Sequence, residues 1–81
     1  MTKEQFDRIV LNDLKSIKDM LGVEVYEKIS AIDFFNLNSM RTETIKEIDK
    51  ADKSSIFLLQ LRIKLAYIEF RLENMILRRI D

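Results

Sequence analysis

The stretch Ile56-Phe57-Leu58-Leu59-Gln60-Leu61-Arg62-Ile63-Lys64-Leu65-Ala66-Tyr67-Ile68-Glu69-Phe70-Arg71-Leu72-Glu73-Asn74-Met75-Ile76-Leu77-Arg78-Arg79-Ile80 decides the fold. At about 100° per residue it carries two apolar stripes. Leu58, Leu61, Leu65, Ile68, Leu72 and Met75 lie along one side; Ile56, Leu59, Ile63, Ala66, Phe70, Leu77 and Ile80 lie along a second, nearly opposite side. Both repeats step by three and four, and only Glu73 interrupts the second. A surface helix of a small monomer needs one buried stripe, so the second asks for a further partner. Two polar strips divide them: Gln60, Lys64, Arg71 and Arg78 on one side, Arg62, Glu69 and Glu73 on the other.

Working outward, the 41 residues from Met40 to Ile80 contain neither Gly nor Pro. They predict one long helix, straight or kinked, with a break near 52–55 as the alternative because Asp52, Ser54 and Ser55 can cap a new helix. Upstream, Asn36-Leu37-Asn38-Ser39 competes with helix through side-chain-to-backbone bonds. It closes a short helix predicted over 24–35, with Val25, Ile29, Ile32 and Phe35 or its neighbour inward. The first helix spans about 3–21. It opens on a capping-box spacing, Thr2 to Gln5, carries Phe6, Val10, Leu14, Ile17 and Leu21 on one face, and ends at Gly22. The expectation is a single all-α domain over 1–81: two shorter N-terminal helices and one long C-terminal helix through which copies associate. Two short helices can hardly cover both stripes of a helix about 40 Å long. The competing arrangement wraps that helix on both sides within one chain.

Composition excludes most chemistry. The chain has no Cys and no His, which removes thiolate and imidazole metal ligands and the commonest general base. One Gly and no Pro leave little for phosphate-cradling loops. Paired carboxylates such as Glu43–Glu47 sit among charges, without the burial that raises a pKa for acid–base work. No catalytic residue, cofactor site or metal site is expected. Fourteen basic residues balance fourteen acidic ones, which disfavours nucleic acid and anionic membranes. The longest uncharged run of the C-terminal segment, Ser54 to Leu61, is far short of the roughly 20 apolar residues of a membrane span. With no leader-like N-terminus, the expectation is a cytoplasmic protein; the Ile, Lys and Asn content suits an AT-rich bacterial or phage genome.

Four smaller features bear on function. Arg62, on the strip of Glu69 and Glu73, suits an interface salt bridge or an anion ligand. Lys64, Arg71, Arg78 and Arg79 form either a solvated face or, in the alternative reading of a nucleic-acid-associated regulator, a phosphate-contacting row. Phe34-Phe35 cannot both face one side of a core, so one offers a partner anchor, unless both wedge into a bundle end. Gly22-Val23 has the look of a helix-turn-helix turn, but Glu24, Glu27 and Asp33 on the following helix disfavour phosphates.

Ile48-Asp49-Lys50-Ala51-Asp52 followed by Leu58-Leu59-Gln60-Leu61-Arg62 resembles, over about 15 residues, the long first helix of the all-helical chorismate mutases. The resemblance implies a dimer in which Arg62 reaches into the partner's site. The chain departs from the family where chemistry matters: Ile45 and Glu73 stand where the family has a catalytic Arg and Lys, and the helices supplying its catalytic Glu and Gln would lie beyond Asp81. What the resemblance carries is therefore architecture. The leading expectation for function is a non-enzymatic interaction protein, a regulator, adaptor or inhibitor that binds another protein as a homodimer or small oligomer. A small-ligand bundle using Arg62 ranks last.

Overall fold

The computed structural model describes residues 2–52 and 56–80, with side chains as far as Ile76. Among the described residues the fold is all-α: α1 (Lys3–Leu11), α2 (Leu14–Leu21), α3 (Val23–Ala31), α4 (Phe34–Lys50) and α5 (Ile56–Ile80). Five helices replace the three or four expected, and each added boundary has a local cause.

The capping box at the start is present: Gln5 N donates to Thr2 Oγ1 (3.2 Å) and Thr2 N donates to Gln5 Oε1 (3.0 Å). The predicted helix 3–21 is cut at Asn12-Asp13. There the Asp13 carboxylate accepts from Ser16 N (3.2 Å) and Ser16 Oγ (2.7 Å), the first satisfying an amide that an unbroken helix would have paired with its preceding turn. These bonds also hold the Asp13 carboxyl below its ordinary pKa. Gly22 ends α2 and opens α3 with φ 89° and ψ 148°. That conformation belongs almost wholly to glycine, and differs from the left-handed cap expected there.

Asp33 moves the next boundary. Its carboxylate accepts from Asn36 N at 3.3 Å, so Phe34 to Ser39 form the first turns of α4 instead of the end of one helix and a loop. The long helix 40–80 also breaks. Ala51 is extended (φ −77°, ψ 149°) and its N–H closes a last turn on Ile48. Ser54 and Ser55, the expected caps, lie outside the described residues. The stretch resembling one chorismate mutase helix is thereby divided, Ile48 on α4 and Arg62 on α5. These two residues line one cleft, and Arg41 pairs with Glu69 further along, so α4 and α5 run antiparallel as a helical hairpin.

α5 is the axis of the molecule. Its 25 residues span about 37 Å, close to the longest dimension of 41 Å, and α1, α2, α3 and α4 all pack on it. Ile17 of α2, Ile29 of α3 and Leu37 of α4 meet Ile63, Tyr67, Ile68 and Leu72 in one core, while α1 adds the partly buried Phe6, Val10 and Leu11. Each fully buried Ile or Leu stabilises the fold by roughly 1.5–3 kcal/mol before entropy is counted. The core thus takes side chains from both stripes: Leu61, Leu65, Ile68 and Leu72 of the first, Ile63 and Ala66 of the second, are all buried within one chain. The middle of α5 follows the wrapped arrangement because the chain supplies four covering helices instead of two.

Candidate interaction surface

Exposed apolar side chains are spread over the described residues, with Ile9, Leu14, Val23, Phe35 and Ile76 among them, and one group lies at the start of α5. Ile56 is 78% exposed and Phe57 58%, and Leu59 is exposed as well. Phe57 lines a groove of about 200 Å³ together with Met20 and Leu21 of α2, Val25 of α3, Glu47 of α4, and Gln60, Leu61 and Lys64 of α5. Met20 and Val25 are themselves exposed. The turn at Gly22 brings Met20 of α2 and Val25 of α3 to the groove, and the α4–α5 hairpin adds Glu47 and Lys64. Its walls are apolar, with one acid, one base and one amide among them. Neither Glu47 nor Lys64 has an ion-pair partner among the described residues.

A second concavity, about 210 Å³, lies between α1, the end of α4 and α5, lined by Thr2, Lys3, Phe6, Asp7, Ile48, Arg62 and Leu65. Arg62 is exposed, with its guanidinium carbon 5.9 Å from the Phe6 ring centroid, a cation–π contact worth about 0.5–1 kcal/mol at a wet site. Glu69, expected beside Arg62, is engaged elsewhere: Lys3 Nζ stands 3.0 Å from its buried Oε1 and Arg41 3.8 Å from its Oε2. Lys3 also donates to Asp7 at 2.8 Å. Asp7, and after it Glu69, raise the Lys3 pKa against the opposing effect of desolvation. The four charges tie α1, α4 and α5 together, each half-exposed pair contributing at most about 1 kcal/mol.

On the opposite flank of α5, Tyr67 stacks on Tyr26 (centroids 5.0 Å apart, 8° between planes), and its hydroxyl lies 2.6 Å from Ser30 Oγ. Burial raises the Tyr67 pKa. Arg71, read from the sequence as part of a cationic row, turns inward and donates to the Ser30 carbonyl at 2.8 Å. It thereby satisfies a carbonyl at the negative end of α3. Lys64 of the same row lines the groove; the side chains of Arg78 and Arg79 lie outside the described residues, as do those of Leu77 and Ile80.

No protein-family model, curated protein or solved structure matches the chain. The surface must be read from its own residues.

Of the residues predicted to form an interface, Ile56 and Leu59 remain open, Leu58, Phe70 and Met75 are half-buried, and Leu61, Ile63, Leu65, Ala66, Ile68 and Leu72 belong to the chain's own interior. The two candidate anchors split as adjacent helical residues must: Phe34 packs against the core and Phe35 is 76% exposed. Val25, expected to face inward on its helix, is exposed instead; what joins it to Met20 and Glu47 at the groove is tertiary. Phe57 did carry a sequence signal: it is a large aromatic that fits neither stripe. Among the described residues no cluster of acidic side chains could hold a metal ion, and no helix is long and apolar enough to cross a membrane.

Proposed function

We propose that this chain is a small, cytoplasmic, non-enzymatic interaction module, a regulator, adaptor or inhibitor. It acts through the apolar surface at the start of α5 and works as a homodimer or small oligomer. One observation carries the reading: Met20, Val25 and Phe57 stay exposed around a single groove although the chain has a packed core to put apolar side chains in. Clustered exposed apolar groups of this kind, rimmed by polar ones, are what protein-binding surfaces present to solvent.

The test is a solution mass across the micromolar range, for the native chain and for a Met20→Ser/Phe57→Ser double variant. The native chain is expected above 9.7 kDa and the variant at the monomer mass, with unchanged helical circular dichroism. A native chain that stays monomeric at high micromolar concentration overturns the oligomer. A variant that assembles as the native chain does moves the interface away from this groove.

A further inference from the structure

α1 differs from the other helices in what holds it to the core. α2, α3 and α4 each seat a fully buried apolar side chain there, Ile17, Ile29 and Leu37, whereas α1 has no buried residue. Phe6, Val10 and Leu11 are only partly buried, and Ile9 of the same helix is 62% exposed. The cleft of about 210 Å³ runs between the first turns of α1 and the side chains of Ile48, Arg62 and Leu65. A helix seated over unfilled space lacks the dispersion contacts that close packing would give it.

The ends of α1 are self-contained as well. The Thr2–Gln5 capping box closes its start from within, and Asn12 N closes its end on the Arg8 carbonyl. Asp13 caps α2 through Ser16, so a bend at Asn12-Asp13 leaves both caps intact. The bond at risk there is the long one from Asp13 N to the Val10 carbonyl, 3.3 Å. Lys3 ties α1 to Glu69 of α5, and Arg41 of α4 also stands beside that carboxylate, so removing Lys3 does not leave it alone. α3, by contrast, is bonded to α5 through Ser30, Tyr67 and Arg71.

We propose that α1 is a lid. It lifts as a unit about Asn12-Asp13 and bares Arg62, Leu65 and Glu69, one row of α5 at helical spacing, while α2, α3, α4 and α5 stay packed. Segments with few buried apolar contacts open at a lower free energy than the core does. The device stands apart from the groove reading above, because it concerns a different face of the chain's own helices and holds whether or not copies associate.

The test is amide hydrogen exchange on the full native chain at neutral pH, repeated in urea below the unfolding transition. Amides from Phe6 to Leu11 should share one protection factor, at least about a hundredfold below that of Ile63 to Leu72. Their dependence on urea should be far weaker, since lifting one helix exposes little surface. Met20 and Leu21 of α2 should keep the protection of α5. Protection in α1 equal to that of α5, with the same urea slope, would make its release part of global unfolding and overturn the lid. Protection graded along α1, with Val10 and Leu11 at the α5 level, would reduce the motion to end fraying and overturn it too. So would α1 and α2 exchanging together, which removes the hinge. A Phe6→Ser/Val10→Ser variant supplies the opened form. Its α1 amides should exchange as in an unfolded chain, and helical circular dichroism should fall by the share of nine residues, while Ile63 to Leu72 stay protected. Loss of protection throughout that variant would make α1 part of the core and end the proposal.

Discussion

The middle of α5 and its first turns share one sequence pattern and meet opposite fates. From Leu61 to Leu72 the two apolar stripes are enclosed by α1, α2, α3 and α4, and Ile68 is wholly buried. At its start Ile56 and Leu59 of the second stripe stand exposed and Leu58 of the first is half-buried. Nothing in the side chains themselves separates the two regions. The difference is reach: α4 turns back on α5 and α2 meets α3 at Gly22, so the cover is complete around the middle and incomplete at the start. Two stripes on a helix therefore do not by themselves signify two partners, and the uncovered remainder is the informative part.

The largest expected effect breaks the comparison at its buried end. Ala66, on the second stripe, is 2% exposed; Ala66→Arg forces a guanidinium into a filled interior and should cost on the order of 4 kcal/mol or more. Urea denaturation followed by circular dichroism would show it as global unfolding, and a folded, merely dissociated variant would place that stripe outside the core. Ile68→Ala should cost about 2–5 kcal/mol in the same measurement, while Ile56→Ser at the exposed end should stay within about 0.5 kcal/mol. Comparable losses at the two positions would erase the distinction between the regions.

Gly22 sharpens it next, because it sets α2 against α3 at the groove. A Cβ there would meet no neighbouring atom, so the cost of Gly22→Ala is backbone strain alone, about 1–3 kcal/mol. A chemical-denaturation midpoint unchanged from native would show that the turn relaxes freely.

Tyr67→Phe should cost about 1 kcal/mol through the lost Ser30 hydrogen bond, and it carries a pH signature. Burial raises the Tyr67 pKa above 10.0, so the folded state favours the neutral phenol. That contribution is complete below pH 10.0 and is lost as pH rises through the raised folded value. Lys3, whose pKa is also raised, adds a smaller loss in the alkaline range from a mostly exposed side chain. Stability measured from pH 8 upward should fall less steeply in Tyr67→Phe than in the native chain; parallel curves would remove Tyr67 from the account.

The smallest effect belongs to Asp13, on the surface. Its lowered pKa means the α2 cap stabilises above pH 3.8 and is lost as pH falls below it. Asp13→Ala should slightly lower the melting temperature at neutral pH, by an increment that vanishes in strong acid.

Much of the fold was legible in the sequence, for reasons tied to particular residues. Helical periodicity in 3–21 and 56–80 identified all-α structure, and Thr2 with Gln5 marked the first cap. The missed boundaries, at Asp13 and Asp33, are also caps. In each case a carboxylate three residues before its amide partner overrode an apolar pattern that ran through it. The polar run 42–53 has helical pairs and no breaker residue, so the sequence favours a continuous helix with a break near 52–55 as the alternative, whereas α4 ends at Lys50. The surface was less legible. Phe57 stood outside both stripes, but Met20, Val25 and Glu47 are brought to it by two turns whose geometry no local pattern encodes. Arg71 likewise read as a surface cation until α3 placed an unpaired carbonyl beside it.

The central claim is that one pattern serves as core along the middle of α5 and as working surface around its start. A methyl-resolved NMR dilution series of the native chain tests it most directly. The account predicts that the Met20 and Val25 methyl signals shift with concentration while those of Ile63 and Ile68 stay fixed. Concentration-dependent shifts at Ile63 and Ile68, or none at Met20 and Val25, would contradict it.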